Sequence, residues 1–420
     1  MNISNHKRTL LQFIEEDREE LIQFLSNFIK AKSPNPPGDT SEPTALISKL
    51  LSAKKLPFRV ISPNPKLPNI VGSLECGMPG RHLVLNGHMD VFPVAAEKWT
   101  YEPWSGAVAN GRIYGRGACD MKCGTTASIF TFVYLYRIRD QLKGRLTLTA
   151  VSDEETFGPW GARYLLQNHP EVRGDCLLNG EPGSPYTIRF GEKGLLWLTF
   201  DVNTQGHHAA YTHISEGAIK IASRLITELD KTLDLIQGAM PDNVVRTFVE
   251  GKEVMEKVLG KGASKITQKI SLNVGTLHGG VKINMIPSQC SMEVDIRLPL
   301  GMKKDYVMKE IEGVVARFPE VTVQEINFSP PSWSDPQGEM AEILRANVRD
   351  LKGFDPLPIS SLGGSDTRLW RYKGVPAYIY GPSPTGLGGR DECVEIEEFL
   401  HIVKTHVLSA YDYLSRGQGT

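Results

Sequence analysis

Four times in this chain a strand-like stretch gives way to a turn that sets an acid or an imidazole beside glycine. The four are VLNGHMDVF at 84–92, GRGACDMKCG at 115–124, RLTLTAVSDEETFG at 145–158 and CLLNGEPG at 176–183. In the first, His88 and Asp90 stand two apart, and residues i and i+2 of a strand point to one face. Polar groups at the exits of strands are where α/β proteins assemble their sites. A histidine together with carboxylates suits zinc, cobalt or manganese. One such turn is as readily a solvated loop; four in succession indicate one shared site built from His88, Asp90, Asp120, Glu154, Glu155 and Glu181.

The elements between these turns alternate. Residues 7–31 place apolar side chains at helical spacing, and SPNPPGDTSEP (33–43) ends that helix with prolines. A second helix is expected over 44–53, then strands at FRVI, NIVGSL and HLVLNG. A helix follows DMKCG, a strand covers RLTLTAVSDE, a helix ARYLLQN and a strand CLLNGEP. That alternation argues an α/β domain with a mostly parallel sheet. Near 192 the pattern changes. Alternating strands at LLWLTFDVNTQ, KISLNVGTLHGG, SQCSMEVDIRLP and VTVQEI, with helices near 215–230 and 303–317, predict a small α+β unit of the ferredoxin-like kind. From about 330 the first pattern resumes and closes in a helix at 395–415. The expected domains are 1–191 and 330–420 for the α/β part, with 192–329 inserted.

The chain has 420 residues, long for one core. Lys and Arg number 47 against 48 Asp and Glu, so no basic excess points to a nucleic-acid surface. No apolar run reaches eighteen residues, so no membrane span is expected, and the charged N-terminus lacks the apolar stretch of a signal peptide. The six cysteines are scattered, which suits reduced thiols and a cytoplasmic location. Cys119 and Cys123 flank Asp120, but no second pair accompanies them, and they read as packed core residues.

In order and spacing these motifs resemble the metallohydrolase family of acetylornithine deacetylase, succinyl-diaminopimelate desuccinylase, aminoacylase and carboxypeptidase G. The resemblance runs from the first helix to DECVEI. It implies that His88, Asp120, Glu155 and Glu181 bind divalent metal, with Asp120 bridging two ions. It also implies that Asp90 orients the His88 ring and that Glu154 is the general base. In the inserted domain, GHHAAYTH resembles the stretch that donates a histidine to the substrate oxyanion across a homodimer; His208 fits best, with His207 one position off. Asn284 in GGVKINMIP would contact substrate. Arg297 and Arg368 could hold a substrate carboxylate bidentately or serve as buried ion pairs. Gly363 and Gly364 fit a loop where backbone approaches a ligand.

The end of the chain departs from that family. Its members carry a metal-binding histidine a few residues before an Asp-Glu pair. Here the stretch is GPSPTGLGGRDECVEI, and Gly388 stands at the ligand position. The second metal would keep Asp120 and Glu155 and lose its nitrogen, so one or two ions per subunit are expected; Asp391 is a substitute candidate. His401, in an amphipathic stretch, reads as structural. Arg390, Tyr378 and Tyr380 are candidates for contacting an unusual substrate, and Trp99, Trp104 and Trp160 for lining a pocket. The leading reading is a metal-dependent hydrolase that cleaves a C–N bond of an N-acyl amino acid or related small molecule by a metal-activated water. The alternatives are hydrolytic deamination of an aminoaromatic, as in 5-nitroanthranilate aminohydrolase, and an inactive relative that binds a ligand or dimerises.

Overall fold

A computed structural model describes residues 5–238 and 240–416. The chain folds as two compact units. The first is built from the residues up to Phe190, from Ser334–Ile359 and from Ser365 onward; the second from Gly191–Trp333 with Ser360–Gly364.

The first unit is organised by a sheet whose strands run in the order Phe58–Ile61, Asn69–Glu75, Lys143–Val151, Met78–His88, Cys176–Asn179, Ala377–Ile379 and Thr187–Glu192. It is mixed. The four central strands are mutually parallel, and antiparallel pairs flank them. Hydrophobic patterning separates buried strands from half-buried ones but carries no direction, so the flanking antiparallel pairs could not be read from it. The helix Lys122–Arg137 is buried from Lys122 through Leu135. A helix apolar on every side belongs inside a core, and this one packs between the sheet and the closing helix Ile396–Ser415.

The N-terminal periodicity over 7–31 reads as one helix. The structure has two, Asn5–Glu16 and Arg18–Lys30, broken at Asp17. The Asp17 carboxylate meets Arg137 at 2.8 Å, and aspartate is a poor residue for a helix interior.

The second unit is a four-stranded antiparallel sheet in the order Ser271–Gly279, Gln289–Leu298, Gly194–Asn203 and Val321–Ser329. The helices Ala218–Leu235 and Lys304–Val315 pack on it. This is the ferredoxin-like arrangement. Alternation decides which face is covered: Leu196, Leu198, Phe200 and Val202 are buried with Leu225, Leu229 and Ile311, while Trp197, Thr199 and Asp201 point the other way. Three short helices, Asp242–Glu250, Lys252–Leu259 and Ala263–Thr267, fill the stretch before Ser271. They are too short for their periodicity to announce them.

Candidate metal centre

The four strand-end turns meet in the first unit. His88 ends its strand buried, and its Nε2 lies 3.3 Å from both Asp120 Oδ1 and Glu181 Oε1. Its Nδ1 lies 2.8 Å from the main-chain oxygen of Asp90 and 3.6 Å from the Asp90 carboxylate. An N–H at Nδ1 therefore donates to a carbonyl, which leaves the Nε2 lone pair facing the acids. Asp90 thus holds the ring through its backbone. Its carboxylate does something else: it accepts the main-chain N–H of Glu154 at 3.2 Å and of Glu155 at 3.1 Å, and the Asn35 amide at 2.9 Å.

Each ligand candidate is placed by a local device. Gly124 at the start of the buried helix lies against Gly180: a Cβ on Gly124 would sit 2.0 Å from the Gly180 carbonyl oxygen, so only glycine lets the helix meet the Glu181 turn. Glu181 N–H donates to Asn179 Oδ1 at 2.7 Å, and Asn179 Nδ2 donates to Asn86 Oδ1 at 2.9 Å, tying the turn to the strand that carries His88. Asp120 is fixed from the far end of the chain. Glu392 Oε1 accepts the N–H groups of Cys119 at 3.0 Å and Asp120 at 3.1 Å, while Oε2 accepts from Arg116 Nη1 at 2.6 Å.

Among the described residues, two groups of side chains bring ligand atoms within 4.8 Å of one another: His88, Asp120 and Glu155, and His88, Glu154 and Glu181. Burial, with Asp120 next to Glu181, pushes the Glu181 carboxyl up to about 7. Burial also raises Glu154 to about 8, against the opposing pull of His88, and lifts Glu155 well above the carboxylate range. Burial works against charge on His88, but Glu181, Asp120 and Asp90 together outweigh it and raise it well above its ordinary value. Glu154 Oε1 and Glu155 Oε1 are buried without a hydrogen-bond partner. A buried Glu155 oxygen with no hydrogen bond, set with Asp120 and Glu181 around an imidazole lone pair, is what a divalent cation would satisfy, so the donor set fits one.

Other candidates fall elsewhere. Arg368 is buried, its Nη1 3.6 Å from Glu154 Oε1 and its guanidinium 4.5 Å from the centre of the Phe157 ring. Arg297 Nη2 donates to Asp295 at 2.8 Å in the second unit. In that unit Asn284 and His208 are exposed and His207 is partly covered; His208 Nδ1 accepts the Ala210 N–H at 3.2 Å, so its proton sits on Nε2. Gly364 is partly covered, and a Cβ on Gly363 would meet nothing within 4 Å. Gly388 has a φ of 69°, a Cβ on it would meet Phe92 Cδ2 at 3.9 Å, and its carbonyl accepts from Arg116 at 2.9 Å. Asp391 spends its two oxygens on the N–H and hydroxyl of Thr100 at 2.7 and 3.0 Å. Tyr378 and Tyr380 are core residues whose hydroxyls donate to the carbonyls of Asp335 and Pro185. His401 is buried against the Tyr380 hydroxyl at 2.7 Å.

Sequence reasoning missed Asn35, Glu392, Arg116 and Asp366. Asp366 is buried, has an unpartnered Oδ2 and is pushed up to about 8 by burial, with Glu154 adding to the rise. The available signal for Glu392 is the Asp-Glu pair at 391–392 itself.

The chain is 27% identical over 383 residues to succinyl-diaminopimelate desuccinylase from Cereibacter sphaeroides, covering 88% of this chain and 93% of that enzyme. Its fold is similar to an M20 family metallo-carboxypeptidase from Sulfolobus solfataricus, with a TM-score of 0.78, 18% identity, and coverage of 94% of this chain and 99% of that one. It is also similar to a dinuclear metal-binding M20 peptidase from Bacillus subtilis, with a TM-score of 0.62, 16% identity, and coverage of 95% and 99%. Residues 84–411 match the family described as Peptidase family M20/M25/M40, and the chain belongs to that family of metal-dependent hydrolases of amide and peptide C–N bonds.

Proposed function

We propose that this protein hydrolyses the amide bond of an N-acyl amino acid or a comparably small peptide. The observation that carries the reading is the convergence of His88, Asp120, Glu154, Glu155 and Glu181, with a buried oxygen on each neighbouring glutamate that makes no hydrogen bond. His88 Nε2, Asp120, Glu155 and Glu181 would hold zinc, manganese or cobalt. When bound, such an ion lowers the pKa of water to about 7 and polarises a carbonyl. Glu154 is the general base: it takes the proton of the attacking water on its carboxylate and returns it to the leaving nitrogen. Arg368 beside Glu154 turns that carboxylate toward the reacting water. His208 of the partner subunit, with its proton on Nε2, donates to the developing oxyanion in a homodimer formed through the inserted unit. Asn284 and Arg297 contact the substrate's polar ends, and Gly364 lets backbone approach it.

The similar desuccinylase and carboxypeptidase both act on acyl–nitrogen bonds by name, which supports an acylated amino acid or a peptide C-terminus as substrate. No observation favours an aminoaromatic. With glycine at 388 and Asp391 committed to Thr100, one ion is held tightly and a second weakly. The six cysteines are free, which supports a reducing, cytoplasmic setting. No helix among the described residues is long and apolar enough to cross a membrane.

The test pairs elemental analysis with a screen of N-succinyl and N-acetyl amino acids and dipeptides. Metal-dependent release of a free amine is expected. Metal-loaded protein that cleaves none of them sinks the reading.

A further inference from the structure

The loop SPNPPG precedes the residues that define the family match, which begin at 84. Its Asn35 is 4% exposed, and no catalytic or ligand role assigned above uses it. The loop is laced to the end of the His88 strand: Ser33 Oγ donates to Met89 O at 2.6 Å, Val91 N–H to Ser33 O at 3.0 Å and Asn35 N–H to Val91 O at 2.9 Å. That lacing aims the Asn35 side chain between two groups. Its Nδ2 donates to Asp90 Oδ2 at 2.9 Å, and at longer range to Asp153 Oδ1 at 3.3 Å and Thr156 Oγ1 at 3.4 Å. Both carboxylates are acceptors only, so the amide must present its NH₂ and not its oxygen.

Asp153 and Thr156 bracket Glu154 and Glu155. Asp153 has a φ of 71°, and its Oδ1 accepts the Thr156 hydroxyl at 2.8 Å while Oδ2 accepts the Trp160 N–H at 3.0 Å. The turn that presents both glutamates is thus a left-handed bend held by side-chain bonds. Hydrogen bonds tie it to Asp90 in two ways: directly, through the Glu154 and Glu155 N–H groups, and through Asn35, which grips Asp90 and the turn at once.

We propose that Asn35 is a positioning residue for the metal centre: its amide clamps the Asp153–Thr156 turn to Asp90, so that Glu154 and Glu155 face the ion and the substrate together. The proposal rests on the functional reading above. Partners that orient metal ligands from outside change metal affinity or activity by about 10–100-fold when removed.

The test is a cobalt(II) titration of metal-free protein followed by visible absorption, with the thermal midpoint of the metal-free protein measured alongside. Asn35→Ala is expected to raise the cobalt dissociation constant by about 10–100-fold and to alter the absorption bands, while the metal-free protein stays folded. With a cleavable substrate, kcat falls and KM holds. A purely structural Asn35 would lower the metal-free midpoint and leave the dissociation constant and bands as in the unmodified protein, and that result overturns the proposal. If Asn35→Ala does not fold, Asn35→Leu fills its volume without a donor and carries the same test. Loss of folding in both variants also overturns it, since Asn35 would then serve the fold alone. If the unmodified protein cleaves no acyl substrate, the functional reading falls while the titration still decides Asn35.

Discussion

Asp90 and Glu154 are joined through the main chain: Oδ1 of the aspartate accepts the glutamate's N–H at 3.2 Å. The other oxygen accepts the N–H of Glu155 at 3.1 Å. Asp90 is fully buried, so Asp90→Ala would leave the buried Glu154 N–H and the partly buried Glu155 N–H without their acceptor. Each such orphan costs about 1–3 kcal/mol. The variant is expected to lose that stability in urea unfolding and to lose metal as well, because the turn carrying Glu155 is freed. His88 should keep its ring orientation, since its Nδ1 rests on the Asp90 carbonyl. Wild-type stability with wild-type metal content would show that the two N–H contacts carry nothing.

In the proposed function Glu154 and Glu155, neighbours in sequence, are divided between proton transfer and metal binding. Glu154→Gln keeps the volume and removes the proton acceptor. The expected loss in kcat is about 10²–10⁴-fold, the range general base catalysis supplies. Metal content should stay as before, because His88, Asp120, Glu155 and Glu181 are untouched. Elemental analysis beside steady-state kinetics makes the check, and a fully active Glu154→Gln would remove Glu154 from the mechanism.

What could be read from the sequence follows the reach of each signal. Strand ends announce themselves locally: an alternating or apolar run stops, and His88, Glu154, Glu155 or Glu181 stands there. The groups that place those residues come from elsewhere. Glu392 reaches Asp120 across 272 positions, and Asn35 reaches Asp153 across 118. Neither belongs to a periodic pattern, and a lone Asn in a proline loop reads as turn chemistry. Arg368 carried two meanings in the sequence, a substrate clamp or a buried partner. Only packing beside Glu154 and Phe157 favours the second. The break at Asp17 was hidden because its two helices keep one apolar face in phase.

Metal uptake should release protons. Burial holds the Glu181 carboxyl at about 7 and the Glu154 carboxyl at about 8 in the metal-free centre, so at neutral pH Glu154 is largely protonated and Glu181 about half so, and both are protonated below it. His88 is raised as well. A ligand must shed its proton to bind, so affinity falls as pH drops through that range, by about tenfold per pH unit for each proton displaced. Calorimetric titration of zinc in two buffers of different ionisation enthalpy should give heats that differ by the protons released. Equal heats in the two buffers would mean that the carboxyls are already ionised.

A second pH effect belongs to the fold. His406 lies on the closing helix, fully buried, and its Nε2 sits 2.6 Å from the Tyr380 carbonyl, so it donates there. Its Nδ1 is buried with no hydrogen-bond partner, and a proton added to it would meet no acceptor. Burial lowers this imidazole to about 4, below the ordinary value near 6.5 that holds in the unfolded chain. Between those values the unfolded state binds more protons than the native state, so stability rises with pH there. The contribution is complete above about 6.5 and drains away as pH falls toward 4, reaching about 2 kcal/mol lost by pH 5. His401, lowered to about 4 chiefly by burial, adds in the same direction. His406→Gln keeps an N–H for Tyr380 and removes the titration. It is expected to narrow the difference in urea-unfolding free energy between pH 7.5 and pH 5 by about that 2 kcal/mol, whatever it does to stability at pH 7.5. An unchanged difference would mean that His406 stays neutral in both states over this range and that the acid sensitivity comes from other groups.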